Sequence, residues 1–390
     1  MTASPRWRNL GTASGAVPAV LFAGYDLYQW LQAYLSDHFH NDFTFYDMAA
    51  RLGLNHGWRS LYDLSLQQAG LDALSSRIKV AELARYISPP PLAWLAIPFT
   101  PLPYEVAYWL WSAMLLAALA GCWYLAAPGA GRARVIFLAA AVGWLPVIYG
   151  LQLGQPGLLV ALGVAGCYAL LRAGRDFWAG VALGVLALKP QLAFLVPPAL
   201  IVARRDRAFA GSVVALGGLA VASVVALGPG GVSDYLDRLS FASSVPVNRE
   251  LTLAALAGSV AVARAVEVVI ALWSLALVYR LGRRSVEWIF VPALLGGVLA
   301  APYLHLDDLV MVGLAGWLYL RTPGRPAWTW AYALAIVLAA EGLPIWGPAP
   351  LILLELGGLV LISVAAARPT RAALTLPQID ARPLELRQRP

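Results

Sequence analysis

The chain has 390 residues, 60% of them hydrophobic and only 13% charged, against about 45–50% and about 25% in soluble domains. With a mean hydropathy of +0.69, this excludes disordered, fibrous and water-soluble enzyme classes and places the protein in a bilayer. The net charge of +7 does not indicate nucleic acid, because the basic residues sort by membrane side, as shown below. Apolar runs over 13–35, 104–127, 135–151, 157–171, 177–203, 208–228, 265–282, 286–302, 307–320, 327–345 and 349–367 predict one all-α polytopic membrane domain over 1–390. The count is roughly 10–12 transmembrane or re-entrant helices, with no internal repeat.

The first run follows Arg6 and Arg8, contains Asp26 and lacks a small-residue cleavage site, the pattern of an uncleaved signal anchor. A first outer loop with short helices is expected over 36–90. It opens with Asp37, His38, His40, Asn41, Asp42 and Asp47. Asp42, beside Phe43, Phe45 and Tyr46, has two readings. At an apolar boundary its pKa can move toward that of a general base, or it caps a helix starting at Phe43. His38 and His40 with Asp42 match no zinc spacing, so no metal or other cofactor is expected. The stretch from Tyr86 through Pro89-Pro90-Pro91 to Leu102-Pro103 is too short to span. It reads either as a piece along the outer surface or as an irregular lead-in. Cys122 and Cys167 sit in apolar runs without metal or redox spacing and read as core residues. In the turn 150–157, Gln152 and Gln155 suit either a sugar hydroxyl or the helix ends.

The run 177–203 decides the topology. As one helix it would measure about 40 Å, more than a roughly 30 Å hydrocarbon core, and Lys189-Pro190 breaks its middle. As a hairpin with Lys189 at its outer tip, it puts 19 of the 28 basic residues on one side, the cytoplasmic side by the positive-inside rule. A single crossing would leave 18 outside. The hairpin therefore predicts cytoplasmic termini, with a tail over 368–390, in a cell (plasma) membrane protein. All four histidines and both lysines, Lys79 and Lys189, then face outward. A second outer loop is expected over 229–264, with Arg249 in it. Lys189 suits a lipid phosphate or a distant carboxylate. Asp307 and Asp308 suit a helix dipole, and His305 a phosphate or a proton. Asp26, Glu267, Glu341 and Glu355 lie in apolar runs and are expected inside the bundle.

Several short motifs follow one another on that face. Asp42-Phe43-Thr44-Phe45-Tyr46, Leu61-Tyr62-Asp63, Tyr86 through Pro90, Gly154-Gln155, Leu188-Lys189-Pro190-Gln191 closing with Arg204-Arg205, and Ala301-Pro302-Tyr303 with His305 and Asp308 together resemble glycosyltransferase family 87 over about 37–322. Pro156-Gly157 stands where that family often has an asparagine after Gly-Gln, and Asp47 is not a motif position. The resemblance implies a glycosyltransferase C-type bundle and a hexosyl- or pentosyltransferase. Such an enzyme moves one sugar, mannose or arabinofuranose, from a polyprenyl-phosphate donor to a lipid-linked or glycan acceptor outside the cytoplasm. It also implies Asp42 as general base and Tyr46, Tyr86, Gln155 and Asp308 as substrate contacts. Lys189, His305 and Arg249 are the cations available for the donor phosphate, and direct displacement inverts the anomeric carbon. The competing class is a lipid flippase without chemistry, since broken helices and a membrane lysine also occur in transporters.

Overall fold

Glycine and proline decide how the apolar runs divide. The computed structural model describes residues 5–75, 78, 85–322, 326 and 328–367. Lys79 and the tail at 368–390 lie outside the described residues, as do the side chains of Arg6 and Arg8. Among the described residues there are helices and no strand. Helix α1 is Pro5–Ser36, α2 Phe43–His56, α3 Leu64–Leu74, α4 Pro90–Ala96, α5 Tyr104–Ala126, α6 Arg132–Val142, α7 Leu145–Leu153, α8 Gly157–Arg172 and α9 Asp176–Val181. Helix α10 is Val196–Val202, α11 Asp206–Ser244, α12 Ala254–Ala257, α13 Val260–Leu281, α14 Glu287–Leu299, α15 Val310–Tyr319, α16 Thr329–Glu341, α17 Leu343–Trp346 and α18 Ala349–Ala367.

Four of these, α5, α11, α13 and α18, are long and apolar enough to cross a membrane, and α6 with α7 makes a fifth if that pair, bent by 57°, is one span. The chain is a polytopic membrane protein. Other apolar runs become shorter helices because Gly and Pro interrupt them. Glu341 accepts the Leu145 N–H at 2.8 Å, which satisfies a donor exposed by the α6–α7 break. Glu267 and Glu355 are buried in the bundle, as are both cysteines. Helix α14 is buried along its whole length and packs on α10, α13, α15 and α18.

Residues 176–203 leave one end of the bundle and come back to it. Arg205 meets Asp176 at 3.6 Å, so the two ends of the segment adjoin. Gly180 lies against Ala208 and Gly184 against Ala215, so α9 and the 3-10 helix Ala182–Leu188 run in the same direction as α11. A Cβ on Gly180 would stand 1.8 Å from the Ala208 carbonyl oxygen; only glycine allows this approach. Lys189 is the corner at the far end, between that 3-10 helix and Pro190–Leu192.

Two connecting regions differ from their sequence reading. Helix α11 continues to Ser244 through a kink at Gly228-Pro229, so the front of the expected 229–264 loop is helical. The kink stands because Gly228 takes φ 64°, and Arg59 packs beside it. Helix α4 does not lie along a surface: Pro90, Pro91, Leu92, Ala93 and Ala96 are buried against α2 and residues 182–188.

Candidate active site

Four stretches meet at the Lys189 end: residues 41–46, the α7–α8 turn, the Lys189 corner and residues 303–308. The turn is tied to α2 by the Asp42 N–H, which donates to Leu153 O at 2.8 Å. Gly154 has φ 74°, and a Cβ there would press on Phe43 at 3.0 Å. This left-handed residue turns the chain so that Gln155 faces Asp42.

Asp42 holds the N-cap position of α2, yet its side chain makes no cap bond. Asn41 does that work: its Oδ1 accepts the Thr44 N–H at 3.2 Å, and its amide donates to His38 O at 2.8 Å and the Tyr104 hydroxyl at 3.0 Å. The Asp42 carboxylate, half-buried, is left for the site. Gln155 Nε2 donates to its Oδ2. Gln155 Oε1 in turn accepts from Lys189 Nζ at 3.1 Å.

Lys189 is 7% exposed and is not a lone cation. Its ammonium lies 2.7 Å from Asp307 Oδ2 and also pairs with Asp308 Oδ1. The ammonium thus hydrogen-bonds Asp307 and Gln155 and forms an ion pair with Asp308. Both aspartates are buried in the 3-10 turn Leu306–Leu309. There Asp308 Oδ2 accepts the His305 N–H at 2.9 Å. His305 Nε2 and the Tyr303 hydroxyl share a hydrogen bond of 2.7 Å.

Burial and then the Asp307 charge push the Asp42 carboxyl up to about 6, while Lys189, the Gln155 amide and His40 pull the other way. At neutral pH Asp42 is thus mostly ionised and far more basic than a surface aspartate. Burial and the nearby ammonium lower His305, which keeps its imidazole neutral. The arrangement can accept a proton at Asp42 and donate one hydrogen bond from the Tyr303–His305 pair.

Of the eight residues singled out in the sequence, Asp42, Gln155, Lys189, His305 and Asp308 converge here. Tyr46 stands within electrostatic reach of Asp42 and Asp307. Tyr86 packs edge-on against Tyr46 with ring centroids 6.4 Å apart. Its hydroxyl is taken by Pro89 O at 2.7 Å and the Ala93 N–H at 3.1 Å, so it builds the start of α4. The Arg249 guanidinium donates to Ser244 O at 3.4 Å. Its neighbour Asn248 does accept the Leu304 N–H at 3.2 Å, which sets that turn beside residues 303–305. The sequence reading missed Asp307 as an ion partner and Tyr303 as a site hydroxyl. A lysine deep in an apolar run needs a carboxylate, and the Asp307-Asp308 doublet was the signal for it.

The chain matches glycosyltransferase family 87 over residues 86–340, well over half its length. It belongs to that family. It is therefore a membrane glycosyltransferase. The matched stretch starts at Tyr86, so Gln155, Lys189, Tyr303, His305 and the aspartate pair lie within it, whereas Asp42 and the first-loop motif precede it. No curated protein and no solved structure matches the chain.

Proposed function

We propose that this family 87 enzyme transfers one sugar from a polyprenyl-phosphate donor to a hydroxyl of a lipid-linked or glycan acceptor on the non-cytoplasmic side of the plasma membrane. Mannose and arabinofuranose are the donors to test first. The observation that carries the proposal is the Asp42 carboxylate, relieved of its capping role by Asn41 and held by Gln155 beside a buried Lys189–Asp307–Asp308 cluster. Asp42 takes the acceptor proton, the acceptor oxygen attacks the anomeric carbon, and the bond from that carbon to the phosphate oxygen breaks with inversion. The Tyr303–His305 pair, with one proton left beyond their shared hydrogen bond, donates it to the leaving phosphate, with Arg249 on the adjoining turn. Held by Gln155 and Asp307 and paired with Asp308, Lys189 serves first to fix this amide and the two aspartates. Its positive charge offsets theirs, so the donor phosphate does not meet an uncompensated pair of carboxylates.

Two measurements test this. Purified protein in vesicles with radiolabelled polyprenyl-phosphate mannose or arabinofuranose is expected to give an inverted glycoside. Scrambling of the lipid without any product overturns the reading. The sidedness is tested with single cysteines, since Cys122 and Cys167 are buried. Ser60→Cys and Ser240→Cys are expected to react with an impermeant thiol reagent from outside, and Asp206→Cys is not. Outside labelling at 206 would put the site on the other face.

A further inference from the structure

Two turns at the end of the bundle opposite Asp42 share one backbone design and differ in one residue. Ala173-Gly174-Arg175-Asp176 closes α8 and opens α9; Ala203-Arg204-Arg205-Asp206 closes α10 and opens α11. In each, the N–H of the third residue reaches back five positions, from Arg175 to Leu170 O at 2.9 Å and from Arg205 to Leu200 O at 2.8 Å. The N–H of the second reaches back three, from Gly174 to Leu171 O and from Arg204 to Ile201 O. Such a helix end puts its second residue in the left-handed region, and Gly174 has φ 71° where Arg204 has φ 60°. Among the described residues Arg204 is the one non-glycine with positive φ. Its Cβ crowds the backbone there, a strain that glycine escapes. The chain thus makes the same turn once without strain and once with it, and the strained copy carries an exposed guanidinium. A cation does suit a helix C-terminus, but Arg205 on the next residue already supplies one.

The neighbours of Arg204 are basic too. Ala203 Cβ lies 3.5 Å from where a Cβ on Gly282 would stand, so its turn adjoins the α13–α14 turn with Arg283 and Arg284. Arg205 is held by Asp176, and Arg284 by the carbonyls of Ala365 and Ala366 at the end of α18. The side chains of Arg204, Arg207 and Arg283 are exposed and make no hydrogen bond or ion pair among the described residues. Arg207 stands in the first turn of α11, where the helix dipole disfavours a cation. Here α11 begins and α13 ends, and both are long and apolar enough to cross a membrane, so the three arginines sit where the spans leave the hydrocarbon. Trp178 and Tyr279, each 61% exposed, flank these turns, as aromatic side chains do at headgroup level. We propose that Arg204, Arg207 and Arg283 bind the phosphate of an anionic phospholipid headgroup in the leaflet opposite the Asp42 end. A guanidinium offers a phosphate two parallel donors. Three cations on adjoining turns favour a headgroup of net negative charge over a zwitterionic one.

The test is a titration of the full-length protein in a neutral detergent with phosphatidylglycerol, reading Tm and, by native mass spectrometry, lipid affinity. Phosphatidylglycerol should raise Tm by at least about 3 °C at saturation, and phosphatidylcholine should not. Arg204→Gly removes the strain and one charge together. Its lipid-free Tm should therefore rise while its affinity for phosphatidylglycerol falls about fivefold, the scale of one basic residue at a lipid surface. Arg283→Gln leaves the backbone alone and should lose affinity to a similar degree at an unchanged lipid-free Tm. An equal Tm gain from phosphatidylcholine overturns the proposal. So does an equal gain from inorganic phosphate, which would make the ligand a soluble anion. Unchanged phosphatidylglycerol affinity in either variant overturns it as well. A lower lipid-free Tm in Arg204→Gly would show that Arg204 stabilises the turn itself, and the argument from strain would fall. None of these readouts involves sugar transfer, so the site stands or falls separately from the role of Asp42.

Discussion

Helix α8 and the α15 region each connect two polar clusters at opposite ends. At one end are Gln155 and the Asp307–Asp308 pair with Lys189 and Asp42. At the other, the Tyr168 hydroxyl donates to Glu287 at 2.7 Å and accepts from Arg172 at 3.0 Å. Arg321 lies over the Tyr168 ring and donates to Ala127 O at 2.9 Å. The second cluster closes on itself, and Arg172 is exposed. The first is built around a buried ammonium, yet it leaves Asp42 half-buried with a single side-chain hydrogen bond among the described residues. Charge inside the bundle is common to both. What distinguishes a reactive end is a basic carboxylate whose partners hold it without using it up.

The largest expected effect breaks the first cluster outright. Lys189→Met removes the partner of two buried carboxylates and of Gln155, and should cost about 3–5 kcal/mol of stability, read as a lower Tm in detergent. Arg172→Ala at the other end should cost no more than about 1 kcal/mol, since water screens its charge. Equal losses would remove the contrast between the two ends. Next in size, Asp42→Asn should keep the wild-type Tm and transfer sugar at least about a hundredfold more slowly. Glu287→Gln should transfer at near the wild-type rate. Near-normal turnover in Asp42→Asn would move the reactive group elsewhere. Asp47→Asn is smaller still: Asp47 is buried with Arg51 at 2.8 Å on the same helix, a local pair five residues past Asp42. It should affect stability by about 1 kcal/mol and leave transfer almost unchanged.

Composition and the apolar runs were enough to read an all-helical membrane chain, because hydrophobicity over tens of residues is a strong local signal. The motif order was enough to read the family. The partners within the site were not legible. Lys189 and Asp307 are 118 residues apart, and no periodicity links them. The side-chain bonding of Asp42 was equally hidden, since an aspartate before a helix fits capping as well as catalysis. It is Asn41, which takes the Thr44 N–H, that leaves the Asp42 carboxylate without a cap bond. The lengths of the spans were also obscured, because a proline step inside an apolar run reads alike whether the helix kinks, as at Gly228-Pro229, or turns back, as at Lys189-Pro190.

The smallest effect sharpens the comparison most. In the first cluster Gln155 bridges Asp42 and Lys189, donating to one and accepting from the other. That bond favours the ionised carboxylate, so its loss raises the Asp42 pKa above about 6. Asp42 works as a base only when ionised, so the rise of kcat/KM with pH should pass through about 6 in the wild type. In Gln155→Ala that limb should move to higher pH, with most of the rate recovered on the alkaline plateau. Stability should fall by only about 1 kcal/mol, because Lys189 keeps both carboxylates. A Gln155 that instead bound a sugar hydroxyl would behave differently: the plateau itself would drop, and the limb would stay in place. Measuring kcat/KM from pH 5 to pH 9 on both proteins separates a positioning residue from a substrate contact. An unshifted limb would mean that Asp42 does not depend on the bridge to Lys189.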